Sequence, residues 1–182
     1  MSEITVVVPS YNHARFVERT LRSIFAQSHR PEKLIVIDDG SKDESVVIVE
    51  RTLSECPFPS ELIVRENRGL CATLNEGLAI SNGDYFAYIG SDDVWKRSML
   101  AEQIALLDSR PKAVLAFCHA YLIDEDDNII DSTANWTDFA DGDMLPHLLR
   151  GQIFSSPGVV YRRAALANHR WNEQSILEDY EL

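Results

Sequence analysis

The segment YFAYIGSDDVW (85–95) joins an apolar run to two adjacent aspartates. Residues 85–89 are all apolar or aromatic, which is typical of a buried strand. Asp92 and Asp93 follow almost directly, and neighbouring carboxylates repel each other unless water, a cation or hydrogen-bond donors compensate their charge. The segment therefore predicts a buried strand whose carboxyl end carries a cluster of negative charge.

Three similar apolar runs precede this segment, and segments with helical periodicity separate them. The runs are ITVVV (4–8), LIVI (34–37) and ELIV (61–64). Continuous apolar runs between polar turns are typical of strands that are covered on both faces of a sheet. The alternation of strands and helices predicts an α/β fold with a mainly parallel, doubly wound central sheet.

Three helices are predicted between these strands. The second begins at Ser41 and Glu44, which form a capping-box pattern. The third ends at Asn82-Gly83, a pair that suits a left-handed helix stop. The apolar stripes of the three helices extend over 16–25, 46–53 and 70–78.

The second half of the chain mixes helices with strands of a different kind. The polar turn DEDDN (124–128) lies between apolar residues and predicts a small antiparallel hairpin. The other predicted elements are a helix over 99–107, one long strand over 113–123, a short helix over 144–151, a strand over 158–162 and a helical segment over 163–167.

The composition is that of an ordinary globular protein, with 45% hydrophobic and 25% charged residues among 182. The formal net charge of −12 argues against unaided binding to nucleic acid or to anionic lipid, since both need clustered Lys and Arg. The five histidines show no shared ligand spacing, so we interpret them as surface or hydrogen-bonded residues. The apolar pattern is still building at ILEDYEL (176–182), and we expect a longer protein to continue beyond Leu182.

Polar clusters follow three of the predicted strands: PSYN (9–12), DDGS (38–41) and GSDD (90–93). Ligands of open α/β sheets bind outside the carboxyl ends of the strands. If the strands are parallel, the three clusters share one edge. Each cluster alone is also compatible with ordinary turn chemistry, because Pro, Asn, Gly and Asp are common turn residues. Their coincidence on one edge favours a binding site.

The side chains in these clusters suit a nucleotide and a metal ion. Tyr11 offers a flat stacking face, and Asp38 or Asp39 can accept hydrogen bonds from a base or sugar. Asp92 and Asp93 suit a hard cation such as Mg²⁺ or Mn²⁺, which takes one or two carboxylates while phosphates and waters fill the other positions. Alternatively, Tyr11 is a core aromatic and Asp38 or Asp39 caps a helix. Neither GxxxxGK[ST] nor GxGxxG is present.

A second pair of acids, Glu178-Asp179, lies near the end of the chain. A carboxylate there can act as general base for an incoming hydroxyl. The alternative is a pair of acids at a helix N-terminus, where the helix dipole favours negative charge.

Five segments, in this order and at these distances, resemble the nucleotide-diphosphosugar glycosyltransferases of the GT-A fold, specifically the large inverting family 2. They are VVVPSYN, VIDDGSKD, ENRGLCATLNEGL, SNGDYFAYIGSDDVW and EDYEL. The resemblance covers essentially all 182 residues. It implies a three-layer α/β/α catalytic domain over 1–182, truncated at its C-terminus, with a nucleotide-binding half over 1–93 and an acceptor-binding half over 94–182.

The resemblance also implies a role for individual residues. Many relatives carry an Arg directly before the asparagine of the third segment, where this sequence has Leu74, so phosphate neutralisation would fall to Arg68, to Arg65 or to sequence beyond the chain. By position, Pro9 and Tyr11 would line the base pocket, and Asp39 would hydrogen-bond the base. Asn67 would contact the nucleotide.

The resemblance assigns the three remaining roles to aspartates. Asp92 would contact the ribose or assist the metal, and Asp93 would ligate Mn²⁺ or Mg²⁺. Asp179 would be the catalytic base.

The function implied is transfer of a sugar, with inversion, from a nucleotide-diphosphate donor such as a UDP-sugar. The acceptor would be a saccharide or a lipid-linked molecule in cell-surface polysaccharide assembly. A cytoplasmic location is expected, at the inner face of the membrane if sequence beyond the chain provides peripheral association. Two alternatives stay open, a metal-dependent nucleotidyltransferase and a noncatalytic module that binds nucleotide sugars.

Overall fold

The computed structural model of the chain describes residues 2–136, 141–148 and 156–175. A six-stranded sheet forms its centre, in the order β3-β2-β1-β4-β8-β5, and a two-stranded hairpin β6-β7 lies apart from it. The strands are β1 (Ile4–Ser10), β2 (Lys33–Asp38), β3 (Ser60–Val64), β4 (Tyr85–Tyr88), β5 (Leu115–Phe117), β6 (Tyr121–Ile123), β7 (Ile129–Ser132) and β8 (Val159–Arg162).

The first four strands are parallel to one another, which confirms the mainly parallel sheet. The later part of the chain adds β8, which runs antiparallel to both β4 and β5. The β6-β7 pair is the predicted antiparallel hairpin. Strands β1, β2 and β4 are direct neighbours, so the loops that follow them leave the sheet at the same edge.

Helices cover both faces of the sheet, which explains the continuous apolar runs. Val6 and Val8 pack with helices α1, α2 and α4 on one face, whereas Val7 packs with α3 on the other. All three valines are fully buried. The helices are α1 (Val17–Phe25), α2 (Ser45–Leu53), α3 (Leu70–Ile80), α4 (Met99–Ser109) and the short α5 (Leu145–Leu148), with 3₁₀ turns at Thr133–Asn135, Ser156–Gly158 and Arg163–Leu166.

The prediction of one long strand over 113–123 is wrong. The run is divided between β5 in the central sheet and β6 in the hairpin. Cys118 still donates its amide to the carbonyl of Gly158, beside β8. Two residues later, Ala120 exchanges hydrogen bonds with Thr133, next to β7. Three residues, 118–120, thus carry the chain from one sheet to another, a change that apolar periodicity does not reveal.

The capping box predicted at Ser41 and Glu44 is also wrong. Ser41 donates its amide and hydroxyl to the carboxylate of Asp38, so it closes the turn after β2. The start of α2 is held by Asp43, whose carboxylate accepts the amide and hydroxyl of Ser45. The third helix ends at Ile80, and Gly83 adopts a left-handed φ of 89° three residues later. The segment predicted as helical after β8 forms a 3₁₀ turn.

Across the described ranges, none of the helices combines the length and apolar character that crossing a bilayer requires.

Helix α3 lies close to β1 because Gly77 faces the strand. A β-carbon at Gly77 would lie 2.6 and 2.9 Å from the two γ-carbons of Val7. Val7 is a fully buried, β-branched residue in the central sheet, so it has little freedom to move aside. The close approach of α3 to the sheet therefore requires a residue without a β-carbon at position 77.

We expect Gly77→Ala to lower the free energy of unfolding by about 1–3 kcal/mol, because the added methyl overpacks the interface. Urea denaturation measures this change. Ala79→Gly, on the exposed side of the same helix, isolates helix propensity, which alone favours Ala by about 1 kcal/mol. In the Gly77→Ala background, Val7→Ala should lower the free energy of unfolding by less than it does in the parent, because it removes the γ-carbons that the new methyl would meet. A stabilising effect of Gly77→Ala would contradict the close contact.

Candidate active site

The loop after β1 and the loop after β2 are joined by reciprocal hydrogen bonds. Asn12 donates its amide to the hydroxyl of Ser41 at 2.8 Å, and its side-chain oxygen accepts the amide of Lys42 at 2.7 Å. Asn12 adopts a left-handed φ of 55°, a conformation that asparagine tolerates better than most residues. Ala14 donates its amide to Asp43 at 3.0 Å. The two loops therefore form one unit at the edge of the sheet.

Pro9 and Tyr11 border this unit. Pro9 is buried in β1 opposite Ile37, and its missing amide proton is tolerated because the pairing of β1 with β4 ends at Val7 and Tyr88. Tyr11 is 46% exposed and belongs to no core cluster. The ring is thus a surface feature of the edge, which excludes the interpretation of Tyr11 as a core aromatic.

Asp39 is buried at the carboxyl end of β2, and three donors from the loop after β3 and the start of α3 reach its carboxylate. Its carboxylate forms an ion pair with Arg65. It also accepts the amides of Arg68 at 2.9 Å and Gly69 at 2.8 Å, directly before α3. Asp39 therefore fixes the loop after β3 and the start of α3. A base could reach only the lone pairs that these donors leave.

The same loop requires a glycine at position 40. Gly40 has a φ of 82°, and a β-carbon there would lie 2.9 Å from the amide nitrogen of Asn67. This close approach brings Asn67, whose side chain is exposed, beside the turn of β2. Asn67 and Asp39 therefore lie at the same edge of the sheet.

Asp92 and Asp93 lie in the turn after β4 and face the same small volume. A β-carbon on Gly90 would lie 3.0 Å from a carboxylate oxygen of each aspartate. Asp93 is the more buried of the two, and none of the hydrogen bonds in the described residues reaches its carboxylate. Burial, and then the charge of Asp92, raise the pKa of the Asp93 carboxyl from 3.8 to about 6. Asp93 is thus a partly buried carboxylate to which the described residues offer no compensating donor.

A hard divalent cation fits this donor set. An incoming cation would compensate the two carboxylates that repel each other, and their oxygens are ligands that Mg²⁺ and Mn²⁺ prefer. No group of three or more His, Cys, Asp or Glu side chains suited to a metal occurs in the described ranges. The pair therefore suits an ion whose remaining ligands come from a bound phosphate and water.

The cations near the site are not equally free. Arg65 is largely buried and contacts Asp39, the hydroxyl of Thr73 at 2.6 Å and the carboxylate of Glu76 at 2.9 Å. Arg68 is 55% exposed and lies 3.6 Å from Glu76. Leu74, at the position where many relatives carry an Arg, is fully buried against the sheet. Arg68 is thus better placed than Arg65 to meet a phosphate.

The chain returns to α3 before the last residues. Asn75 accepts the amide of Trp171 and donates to its carbonyl, both at 2.9 Å. The thiol of Cys71, one turn nearer the start of α3, lies 3.9 Å from the carbonyl of Ser175. Residues 171–175 therefore follow α3 towards the edge that carries Asp39. Asp179 lies outside the described residues.

Three residues that organise the site were not singled out for these contacts by the sequence. Thr20 of α1 donates its hydroxyl to the carbonyls of Ser91 and Asp93, at 2.9 and 2.8 Å. The imidazole of His13 lies 2.8 Å from the hydroxyl of Ser91. Arg65 was considered only for phosphate neutralisation. Their spacing in the sequence matches no motif, since each meets its partner only when folding brings distant segments together.

Comparison with curated proteins identifies relatives with glycosyltransferase names. An uncharacterized glycosyltransferase of Nostoc sp. is 29% identical over 90% of this chain and 52% of its own length. TuaG of Bacillus subtilis, whose name provisionally assigns it to teichuronic acid biosynthesis as a glycosyltransferase, is 31% identical over 59% of this chain and 42% of its own. The chain thus spans about half the length of these relatives.

Solved structures share the fold over nearly the whole chain. TarS of S. aureus in complex with UDP-GlcNAc gives a TM-score of 0.77 at 21% identity, over 98% of this chain and 51% of that one. The mannosyltransferase PcManGT from Pyrobaculum calidifontis, in complex with GDP-Man and Mn²⁺, gives 0.74 at 21% identity, over 98% and 50%. The fold is therefore the GT-A fold, as expected.

The family model described as Glycosyl transferase family 2 matches residues 5–170, a range that includes all three loops at the sheet edge. Because this match extends over most of the chain, and because the fold agrees with it, the chain belongs to glycosyl transferase family 2.

Proposed function

We propose that the protein transfers a sugar from a nucleotide-diphosphate donor to an acceptor hydroxyl, with inversion at the anomeric carbon. The observation that carries this proposal is the partly buried Asp93, whose carboxylate accepts no hydrogen bond from the described residues and lies beside Asp92 at the sheet edge that also holds Tyr11 and Asp39. Such an arrangement suits a ligand that brings a cation and a base together. A nucleoside diphosphate with a divalent ion is such a ligand.

The donor would lie across the carboxyl edge, with its base at β1 and β2 and its diphosphate at the turn after β4. Tyr11 would stack on the base beside Pro9, and Asp39 and Asn67 would offer acceptors and donors to its edge. Asp92 would contact the ribose. Arg68 would approach the phosphates. The family neighbours solved with UDP-GlcNAc and with GDP-Man support a nucleotide sugar, and we favour a UDP-sugar.

Asp93 would hold the divalent ion, with Asp92 beside it. When bound, Mn²⁺ or Mg²⁺ would stabilise the negative charge that develops on the departing diphosphate. The presence of Mn²⁺ in the PcManGT structure supports this assignment. The role of the protein is to keep the two carboxylates close, so that their repulsion favours cation binding.

Asp179 would act as general base. Its carboxylate would accept the proton of the acceptor hydroxyl, whose oxygen then attacks the anomeric carbon opposite the leaving group as the bond to the phosphate oxygen breaks. The position of Ser175 at the first turn of α3 supports this role. Four residues span at most about 14 Å, so Asp179 would lie within that distance of Ser175.

We also propose that the chain is a single catalytic domain, with donor binding by residues 1–93 and acceptor binding by residues 94–182. The acceptor would be a saccharide or a lipid-linked molecule used in cell-surface polysaccharide assembly. The name of TuaG supports this pathway. The protein would act in the cytoplasm, at the inner face of the membrane if sequence outside the chain associates with it.

Metal-dependent donor binding is the direct test of this proposal. In the presence of Mn²⁺, we expect the protein to bind UDP-GlcNAc or GDP-Man and to release the corresponding nucleoside diphosphate when an acceptor is supplied. Calorimetry measures binding, and a coupled assay measures release. UTP in the same panel tests the nucleotidyltransferase alternative, and binding of UTP without any nucleotide sugar would contradict the proposal. Binding without release in any acceptor panel would favour a noncatalytic module.

Asp93→Asn should have opposite effects on stability and on donor binding. At pH 7 the parent keeps a partly buried charge whose folded-state pKa is raised, so the neutral variant should be more stable by roughly 1–2 kcal/mol. The destabilisation of the parent by this charge is complete above pH 6. It disappears as pH falls below about 4, because the Asp93 carboxyl is then neutral in both the folded and the unfolded state. Urea denaturation at pH 7 and pH 4 measures the difference.

The same variant should lose at least tenfold in Mn²⁺-dependent donor affinity, because one ligand carboxylate is gone. Asp126→Asn is the matched control, since it removes the same charge from an exposed hairpin turn. It should leave donor affinity and its metal dependence unchanged. Equal metal-dependent affinity of Asp93→Asn and the parent would remove Asp93 from the metal site.

Asp179→Asn should retain donor binding within about twofold and lose transfer by about 10²–10⁴-fold, because proton abstraction no longer assists the attack. Single-turnover transfer and calorimetry separate the two effects. Glu178→Gln is the matched control for the loss of a neighbouring charge. Transfer by Asp179→Asn at the rate of the parent would show that another group accepts the proton.

A further inference from the structure

His13 is anchored in the loop after β1 by its backbone alone. Its amide donates to the hydroxyl of Ser45 at 3.0 Å, and its carbonyl accepts the amides of Phe16 at 2.9 Å and Val17 at 3.0 Å. These bonds fix the loop against the starts of α1 and α2. The imidazole contributes to none of them, so a change of the side chain leaves the anchors in place.

The imidazole of His13 extends instead to the turn after β4. Its Nδ1 lies 2.8 Å from the hydroxyl of Ser91 and 3.7 Å from a carboxylate oxygen of Asp92. The edge of the Phe16 ring limits its rotation, with the ring centres 6.2 Å apart. Among the hydrogen bonds of the described residues, this is the one that joins the loop of Tyr11 to the turn of the aspartate pair.

The turn is held by contacts that leave its carboxylates accessible. Ser91 is buried, and its carbonyl and that of Asp93 accept the hydroxyl of Thr20. The amide of Asp93 donates to the carbonyl of Gly90 at 3.1 Å. Thr20 therefore fixes the backbone of the turn to α1, and His13 links the hydroxyl of Ser91 to the loop of Tyr11.

We propose that His13 is a positioning residue, whose imidazole sets the separation between the loop of Tyr11 and the Ser91–Asp93 turn. This inference rests on the proposed function, in which Tyr11 meets the base and Asp93 meets the diphosphate through a cation. A nucleoside diphosphate has a fixed distance between base and phosphates. If the turn moved relative to Tyr11, the ligand could not place its base against Tyr11 and its phosphates at the turn at the same time.

Three variants and two measurements test the role of the imidazole. His13→Leu removes the hydrogen bond to Ser91, whereas His13→Asn keeps a hydrogen-bonding atom near the position of Nδ1. Ser91→Ala removes the bond from its other end. Calorimetry compares the affinity for UDP with Mn²⁺ to that for uridine, which has no phosphate. Hydrogen exchange in the metal-free protein measures the protection of the Asp93 amide.

In His13→Leu we expect UDP affinity with Mn²⁺ to fall about three- to tenfold, as loss of one hydrogen bond implies, while uridine affinity is unchanged. The Asp93 amide should exchange faster by a similar factor. His13→Asn should restore both values to within about twofold. Ser91→Ala should match His13→Leu, and the double variant should be no worse than either single change.

The outcomes separate this inference from the proposed function. A parent protein that binds neither UDP with Mn²⁺ nor uridine would contradict the proposed function, and hydrogen exchange would still decide whether the imidazole holds the turn. If the parent binds UDP and His13→Leu matches it in affinity and exchange, the inference is wrong while the proposed function stands. Equal losses for uridine and UDP, unrelieved in His13→Asn, would also overturn it, because they indicate general loss of structure.

Discussion

The buried ion pair between Asp39 and Arg65 is the interaction on which the site depends most. It joins the end of β2 to the loop after β3, and the remaining acceptor capacity of Asp39 holds the amides of Arg68 and Gly69 at the start of α3. Removing one partner of such a pair leaves an uncompensated buried charge, which typically costs 3–5 kcal/mol. The ion pair therefore sets the position of α3 at the sheet edge. It also sets the position of residues 171–175, which Asn75 holds against that helix.

Asp39 and Asp93 show how two carboxylates, after the two strands that flank β1, acquire different properties. Asp39 is surrounded by donors, so its charge is compensated within the protein. Thr20 supports the backbone of Asp93, but across the described part of the chain none of the donors reaches its carboxylate oxygens, so its charge is left for a ligand to compensate. One aspartate is thus part of the scaffold, and the other stores unfavourable electrostatic energy that cation binding would release.

The sequence was sufficient for features that depend on local pattern. Apolar runs gave the four parallel strands, and the polar residues after them gave the edge where Tyr11, Asp39 and Asp93 meet. It was insufficient where tertiary contacts decide. The exit of the chain from the sheet at Cys118 depends on Gly158, forty positions away, and the start of α2 depends on Asp43 because Asp38 has already engaged Ser41. The donors to Asp39 were likewise hidden, since a buried charge meets its partners through folding.

Strand β8 has a consequence for how the molecule can move. Residues 159–162 from the late part of the chain insert between β4 and β5, so they pair directly with the strand that ends at the aspartate turn. Strands from both halves of the chain therefore belong to one continuous hydrogen-bonded sheet. A hinge motion between the two halves would have to break main-chain hydrogen bonds between β4 and β8. Any closure over a bound molecule must therefore come from movement of loops at the edge of the sheet.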